Sequence, residues 1–85
     1  MKIIYSPRFA KEYKKLPLKV KLLAEKKEEI FRKKPFHPSL KTHKLTGNLK
    51  EFYSFSINYQ FRIVFHFEDK NTIAFDNIGT HEIYK

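Results

Sequence analysis

The stretch QFRIVFHFE, residues 60–68, decides the fold because its large apolar residues recur at every second position. A period of two predicts a β-strand with one face toward a core and the other face away from it. The core-facing set is Phe61, Ile63, Phe65 and Phe67. Arg62, Val64 and His66 are left on the opposite face, so the predicted strand carries a fixed charge among apolar residues.

Two more strands are predicted on either side of this one, at residues 49–57 and 72–78, both rich in apolar and aromatic residues. Asn58 and Tyr59 make the first connection, and residues 69–71 make the second. Short polar connections of this kind join neighbouring antiparallel strands. The three strands are therefore predicted to form an antiparallel meander.

The N-terminal half predicts a strand followed by two helices. Residues 2–5 form a short opening strand, and Ser6 with Pro7 marks a helix start. Ser can cap the free N–H groups of a first turn, and Pro suits the first helical position. One face of this helix consists of Phe9, Tyr13 and Leu16. Pro17 ends the first helix and can begin the second.

The second helix has an apolar stripe with a single polar interruption, Lys27. The stripe consists of Val20, Leu23, Lys27, Ile30 and Phe31. Pro35 and Pro38 stop the helix, and residues 35–47 are predicted to form a long irregular loop. Long ordered loops in small domains often carry function.

These elements predict one α+β domain over residues 1–85, with the order β-α-α-β-β-β. Two N-terminal helices pack on one face of an antiparallel sheet of three to four strands. The chain has no Cys, so neither disulfides nor thiolate metal sites can support so small a core. Nine Phe and five Tyr supply large rings, which bury much area per residue.

The charge balance points to an anionic partner. Lys and Arg total 18 against 9 Asp and Glu, which gives a net charge of +9. A nucleic-acid backbone, an anionic membrane or an acidic protein can each accept such a charge. No targeting pattern opens the chain, and no apolar run approaches the roughly 20 residues that cross a bilayer. We therefore expect a cytoplasmic protein that does not enter a membrane.

Several common kinds of site are excluded by the sequence. Its four His lack metal-ligand spacing, its two Gly cannot form a phosphate-binding loop, and no Ser lies in a nucleophile turn. We therefore expect neither a metal nor a small-molecule cofactor. RNA cleavage fits better, because it needs a base, an acid and a cation at the phosphate. The candidates in or beside the sheet are His43, Arg62, His66, His81 and Tyr84.

Three motifs carry a resemblance to a known family. FDNIGTHEIYK, residues 75–85, resembles the closing motif of the RelE/ParE toxin superfamily. HKLTGNL, residues 43–49, resembles the stretch that enters its sheet, and YQFRIVF, residues 59–65, resembles its Arg-bearing strand. Together with the strand-helix-helix opening they span nearly the whole chain. The resemblance is closest to the RelE/YafQ-like branch of mRNA interferases.

The resemblance implies a toxin of a type II toxin–antitoxin pair that cleaves mRNA in the ribosomal A site without a metal. It implies catalytic roles for His81, Arg62, His43 and Tyr84. We expect the lysines of the loop and its exit to bind RNA; they are Lys41, Lys44 and Lys50. The implied partners are a cognate antitoxin, the mRNA and the ribosome.

Two other functions stay open. A ParE-like toxin inhibits DNA gyrase without cutting RNA, and a basic module can bind nucleic acid without catalysis. Structural alternatives also exist for single residues. Arg62 can pair with Glu68 or Asp76 in an ion pair, His66 can be a plain sheet-surface residue, and Tyr84 can close the core.

Overall fold

The computed structural model describes residues 1–80 of the chain. Its helices are α1, Pro7–Lys14, and α2, Leu18–Lys33. Its strands are β1, Lys2–Tyr5; β2, His43–Lys44; β3, Tyr53–Ser56; β4, Phe61–Phe67; and β5, Thr72–Thr80. Two short 3-10 turns lie at Pro38–Leu40 and Gly47–Leu49. Within the described residues, neither helix has the length and apolar character needed to cross a bilayer.

The strands form one five-stranded sheet in the order β1-β5-β4-β3-β2. The predicted meander of β3, β4 and β5 is antiparallel, as expected, but β1 pairs parallel to β5. The α+β class is confirmed, while the sheet is mixed and larger than predicted. The added edge strand is β2, within the segment expected to be an irregular loop. Two residues are too few to show a period in the sequence.

The helix starts follow the predicted signals. Ser6 precedes α1, and its Oγ accepts a hydrogen bond from the Phe9 N–H at 2.9 Å. Pro7 occupies the first turn, where its missing N–H costs nothing. Pro17 separates the two helices, since α1 ends at Lys14 and α2 begins at Leu18.

The core centres on Phe31 of α2, which is fully buried against the sheet. Its ring centroid lies 4.7 Å from Phe55, 4.9 Å from Phe65 and 5.4 Å from Phe75. Such aromatic pairs add about 0.5–1.5 kcal/mol each beyond the area they bury. The period-two prediction for β4 is confirmed at its centre, although Phe67, at the strand's end, is 42% exposed.

A β-bulge at Asp76 interrupts the pairing of β4 with β5. Val64 lies opposite Asn77 whereas Phe65 lies opposite Phe75, so Asp76 is an extra residue. Helix α1 and its cap satisfy backbone groups beside the bulge: Ser6 Oγ donates to the Asp76 carbonyl at 2.7 Å, and Glu12 Oε1 accepts from the Ile78 N–H at 3.0 Å. A bulge re-aims side chains, and here it places a carboxylate beside the face of the sheet opposite the helices.

Candidate functional site

The sheet face opposite the helices, called the outer face below, collects the polar residues of the strands. Residues directly opposite each other in neighbouring strands share a face. Ser56 lies opposite Arg62, and His43 lies opposite Ser54, two residues from Ser56. The register therefore places His43 and Arg62 on the same face, two strands apart.

Arg62 is half-buried and has no carboxylate partner among residues 1–80. Its Nη1 donates to Ser56 Oγ at 3.1 Å, while its buried Nε lacks a hydrogen-bond partner in the described chain. The ion pair with Glu68 or Asp76, considered as an alternative, is not formed. A desolvated guanidinium that lacks a counter-charge is costly, and an anionic ligand would remove that cost.

His66 lies four residues after Arg62 in β4, and its ring is held between two carboxylates. Its Nδ1 is 2.7 Å from Asp76 Oδ2, and its Nε2 is 2.7 Å from Glu68 Oε1. Because both ring nitrogens are engaged, neither is free to exchange a proton with a substrate. This is the arrangement expected for a structural residue of the sheet surface.

The surroundings of His66 favour its charged form. Burial alone lowers the pKa of His66, but the hydrogen bonds that its ring donates to Asp76 and Glu68, together with their negative charge, outweigh burial and raise it. Burial also raises the pKa of Asp76, against the opposing influence of His66. The two carboxylates lie on opposite sides of the ring. No three His, Asp or Glu side chains within residues 1–80 converge to hold a metal ion.

His43 is exposed on β2, the edge strand of the sheet. Its Nδ1 is 3.1 Å from the carbonyl oxygen of Lys41. A carbonyl oxygen only accepts, so Nδ1 carries the proton in this contact. In the neutral ring Nε2 is then the unprotonated nitrogen, which can accept a proton.

The three lysines predicted to bind RNA fall into two separate places. Lys41 lines a cleft that also contains Arg62. Lys44 and Lys50 line another cleft, beside Tyr53 and Phe67 near the far ends of β3 and β4. The structure thus brings one of the three to Arg62 and keeps two apart from it.

His81 and Tyr84, the remaining predicted catalytic residues, lie outside the described residues. The described chain ends at Thr80, which pairs with Phe61, the neighbour of Arg62 in β4. Two polar features of this face and its surroundings were not predicted from the sequence. One is the pair of carboxylates that hold His66. The contact with Glu68 could have been predicted from the spacing of two between His66 and Glu68. The other is Lys27, half-buried in the cleft of Arg62.

Solved structures of bacterial toxins share this architecture. The YoeB/ParE toxin from Agrobacterium tumefaciens superposes with a TM-score of 0.81 at 15% identity, over 95% of this chain and 99% of that one. YafQ from E. coli strain BL21(DE3) gives 0.79 at 20% identity, over 96% and 94%. The YoeB dimer from Staphylococcus aureus gives 0.78 at 25% identity, over 95% and 97%. The fold is that of the RelE/ParE-type toxins.

The sequence narrows this class further. A family model described as the bacterial toxin of type II toxin–antitoxin system, YafQ, matches residues 1–84. The chain therefore belongs to the YafQ family of toxins. Among curated protein sequences, none matches this chain. The family resemblance drawn from the three sequence motifs is confirmed.

Proposed function

We propose that this toxin is a ribosome-dependent endoribonuclease that cleaves mRNA in the A site and thereby inhibits translation. The observation that carries the proposal is Arg62, a half-buried guanidinium without a carboxylate partner in residues 1–80, on the same sheet face as His43. A planar fork with free donors suits a phosphodiester, and Arg62 would hold the scissile phosphate.

The chemistry requires two proton transfers and one stabilised charge. The 2′-oxygen attacks phosphorus as its proton passes to a base, the P–O5′ bond breaks, and the leaving 5′-oxygen takes a proton from an acid. The products are a 2′,3′-cyclic phosphate and a free 5′-hydroxyl. We assign the two proton transfers to His43 and His81, and Arg62 neutralises charge on the phosphate.

Affinity for the ribosome would come from the surplus of positive charge. The net charge of +9 favours long-range attraction to RNA, and Lys41, Lys44 and Lys50 are proposed to contact phosphates directly. Tyr84 is proposed to stack on an unpaired base near the cut.

A cognate antitoxin is the proposed protein partner. A related solved structure is a heterotetrameric complex of the YoeB–YefM toxin–antitoxin from Staphylococcus aureus, at 25% identity. An antitoxin segment with acidic character would complement the basic surface and mask the outer face. This would keep the toxin inactive until the partner is removed.

The test is to induce the protein in a bacterial host and map new 5′ ends across translated mRNAs. His81→Ala and His43→Ala are induced in parallel, and Lys70→Ala, at an exposed turn, is the matched control. We expect cuts at fixed positions within codons that disappear in both His variants and persist in the control. Growth arrest without new mRNA ends would contradict the proposal and favour DNA gyrase as the target.

A further inference from the structure

A polar cleft of about 280 Å³ lies at the end of the β3–β4 hairpin. It draws on separate parts of the chain: Lys27 comes from α2, Lys41 from the loop before β2, and Arg62 from β4. The remaining polar lining comes from Ser39, Ser56 and Asn58. The described lining thus holds three cations and no carboxylate.

Lys27 has an unusual position for a lysine. It interrupts the apolar stripe of α2 and is half-buried, whereas its neighbour Lys26 is exposed. Within residues 1–80 its ammonium group forms no ion pair. A long side chain on an apolar stripe normally carries its charge out to water. In this structure Lys27 is one of the residues that line the cleft.

Lys41 is held in place by an uncommon backbone conformation. Its φ of 52° lies in the left-handed region, which few residues other than Gly, Asn and Asp adopt readily. The surrounding loop fixes it: the Lys41 N–H donates to the Pro38 carbonyl at 3.2 Å, and the Lys41 carbonyl accepts from His43. The loop therefore presents Lys41 at a defined place beside Arg62.

The three cations have nothing to balance them within the described cleft. Like charges that converge on one cavity repel each other, and the buried Nε of Arg62 lacks an acceptor. A single anion with several oxygen atoms would accept from Arg62, from both lysines and from the Ser hydroxyls at once. Phosphate has this chemistry.

The rim of the cleft indicates the source of the phosphate. Tyr59 stands at the rim with 87% of its surface exposed. A free phosphate cannot stack on an exposed aromatic ring. A single-stranded nucleic acid has a base next to each phosphate, and aromatic rings stack on such bases. We propose that this cleft binds a backbone phosphate of single-stranded RNA through Lys27, Lys41 and Arg62, with the adjacent base on Tyr59. This rests on the proposed function in taking RNA as the substrate.

The first experiment measures binding of the full chain to a fluorescent single-stranded RNA oligonucleotide at several salt concentrations. Lys27→Met keeps the apolar stem of the side chain and removes the charge; Lys26→Met is the matched control. For Lys27→Met we expect weaker binding and a slope of log affinity against log salt that is reduced by about 0.7, the value for one lost phosphate contact on a single strand. Equal slope changes in both variants would overturn the proposal.

The second experiment separates the phosphate from the base. The Nε–H signal of Arg62 is followed by NMR during titration with RNA and with inorganic phosphate. We expect the chemical shift of this signal to change as RNA is added. An unchanged chemical shift at saturating RNA would overturn the proposal. We expect Tyr59→Ala to weaken RNA binding by about tenfold, the loss of one base stack, without changing the response to inorganic phosphate. Full RNA affinity in Tyr59→Ala would remove the base from the proposal.

These measurements do not depend on cleavage. If RNA binds the cleft as described but no mRNA is cut in cells, the phosphate site stands and the proposed enzymatic function fails. If mRNA is cut and Lys27→Met behaves like Lys26→Met, the enzymatic function stands and the phosphate site fails.

Discussion

Arg62 and His66 lie four residues apart on the same face of β4, yet His66 has two carboxylate partners and Arg62 has none within the described residues. His66 is enclosed by two carboxylates, at 2.7 Å on each ring nitrogen. Arg62 faces a hydroxyl and two lysines, and its Nε is buried without a partner in the described chain. A charge balanced inside the protein supports the fold, while an unbalanced charge is available to a ligand. The His66 end of the outer face therefore has a structural role, and the Arg62 end is the proposed functional site.

The largest expected effect follows from removing the unbalanced charge. Arg62→Met should lower the rate of mRNA cleavage on purified ribosomes by about 100-fold or more, the size of effect seen when a charge-stabilising donor is removed. Its thermal unfolding temperature should not fall, because Arg62 makes only one side-chain hydrogen bond, to Ser56, in residues 1–80. A variant that cleaves normally but unfolds at lower temperature would reverse the assignment.

A smaller effect is expected at His66 and its two carboxylates, and it should appear in the free energy of unfolding. Asp76→Ala removes the more buried partner of His66 and should cost about 1.5–3 kcal/mol of unfolding free energy, a typical value for a lost hydrogen bond to a charged group. Glu68→Ala should cost less, at most about 1 kcal/mol, since the Glu68 side chain is 48% exposed and its ion pair is screened by water. Both should be measured by urea unfolding. Cleavage lost in Asp76→Ala at unchanged stability would show that this end of the face also acts in catalysis.

The smallest effect is a dependence of stability on pH. The hydrogen bonds of Asp76 and Glu68 raise the pKa of His66 in the folded protein, against the effect of burial. The stabilisation is therefore complete below the unfolded pKa of about 6.5, and it is lost as pH rises through the higher folded pKa. Unfolding free energy should decline over this range in the native chain and decline less in His66→Gln. Identical pH profiles for the two proteins would show that Asp76 and Glu68 do not stabilise the charged form of His66.

Local signals in the sequence were enough for most of the fold. The alternation of residues 60–68 gave the face assignment of Arg62 and His66, and Ser6-Pro7 and Pro17 gave the helix starts. Two features depend on contacts between distant parts of the chain. The parallel pairing of β1 with β5 joins the first strand to the last, and the bulge at Asp76 is supported by Ser6 and Glu12 of the N-terminal region. Neither the parallel pairing nor the bulge leaves a periodic pattern in the local sequence from which it could be predicted.

The ion pair of Arg62 with Glu68, which the sequence left open, could have been excluded from the spacing alone. Glu68 lies six residues from Arg62 on the same strand, and at about 3.3 Å per residue that is far beyond the reach of an ion pair. Glu68 lies two residues after His66, which places the two side chains on one face and within reach of each other. The position of Lys27 could not be predicted from local spacing, because its cleft is formed by α2, a loop and a hairpin that are distant in sequence. Its only local sign was a charge within an apolar stripe.

The central claim is that the outer face cleaves RNA by using the 2′-hydroxyl of the substrate. The most direct test is single-turnover cleavage by the purified chain on ribosomes programmed with an mRNA that carries one 2′-deoxynucleotide at the cut position. The account predicts that cleavage stops at this position and persists in the unmodified mRNA, with a 2′,3′-cyclic phosphate on the product. Cleavage of the deoxy-substituted position at the normal rate would contradict the account.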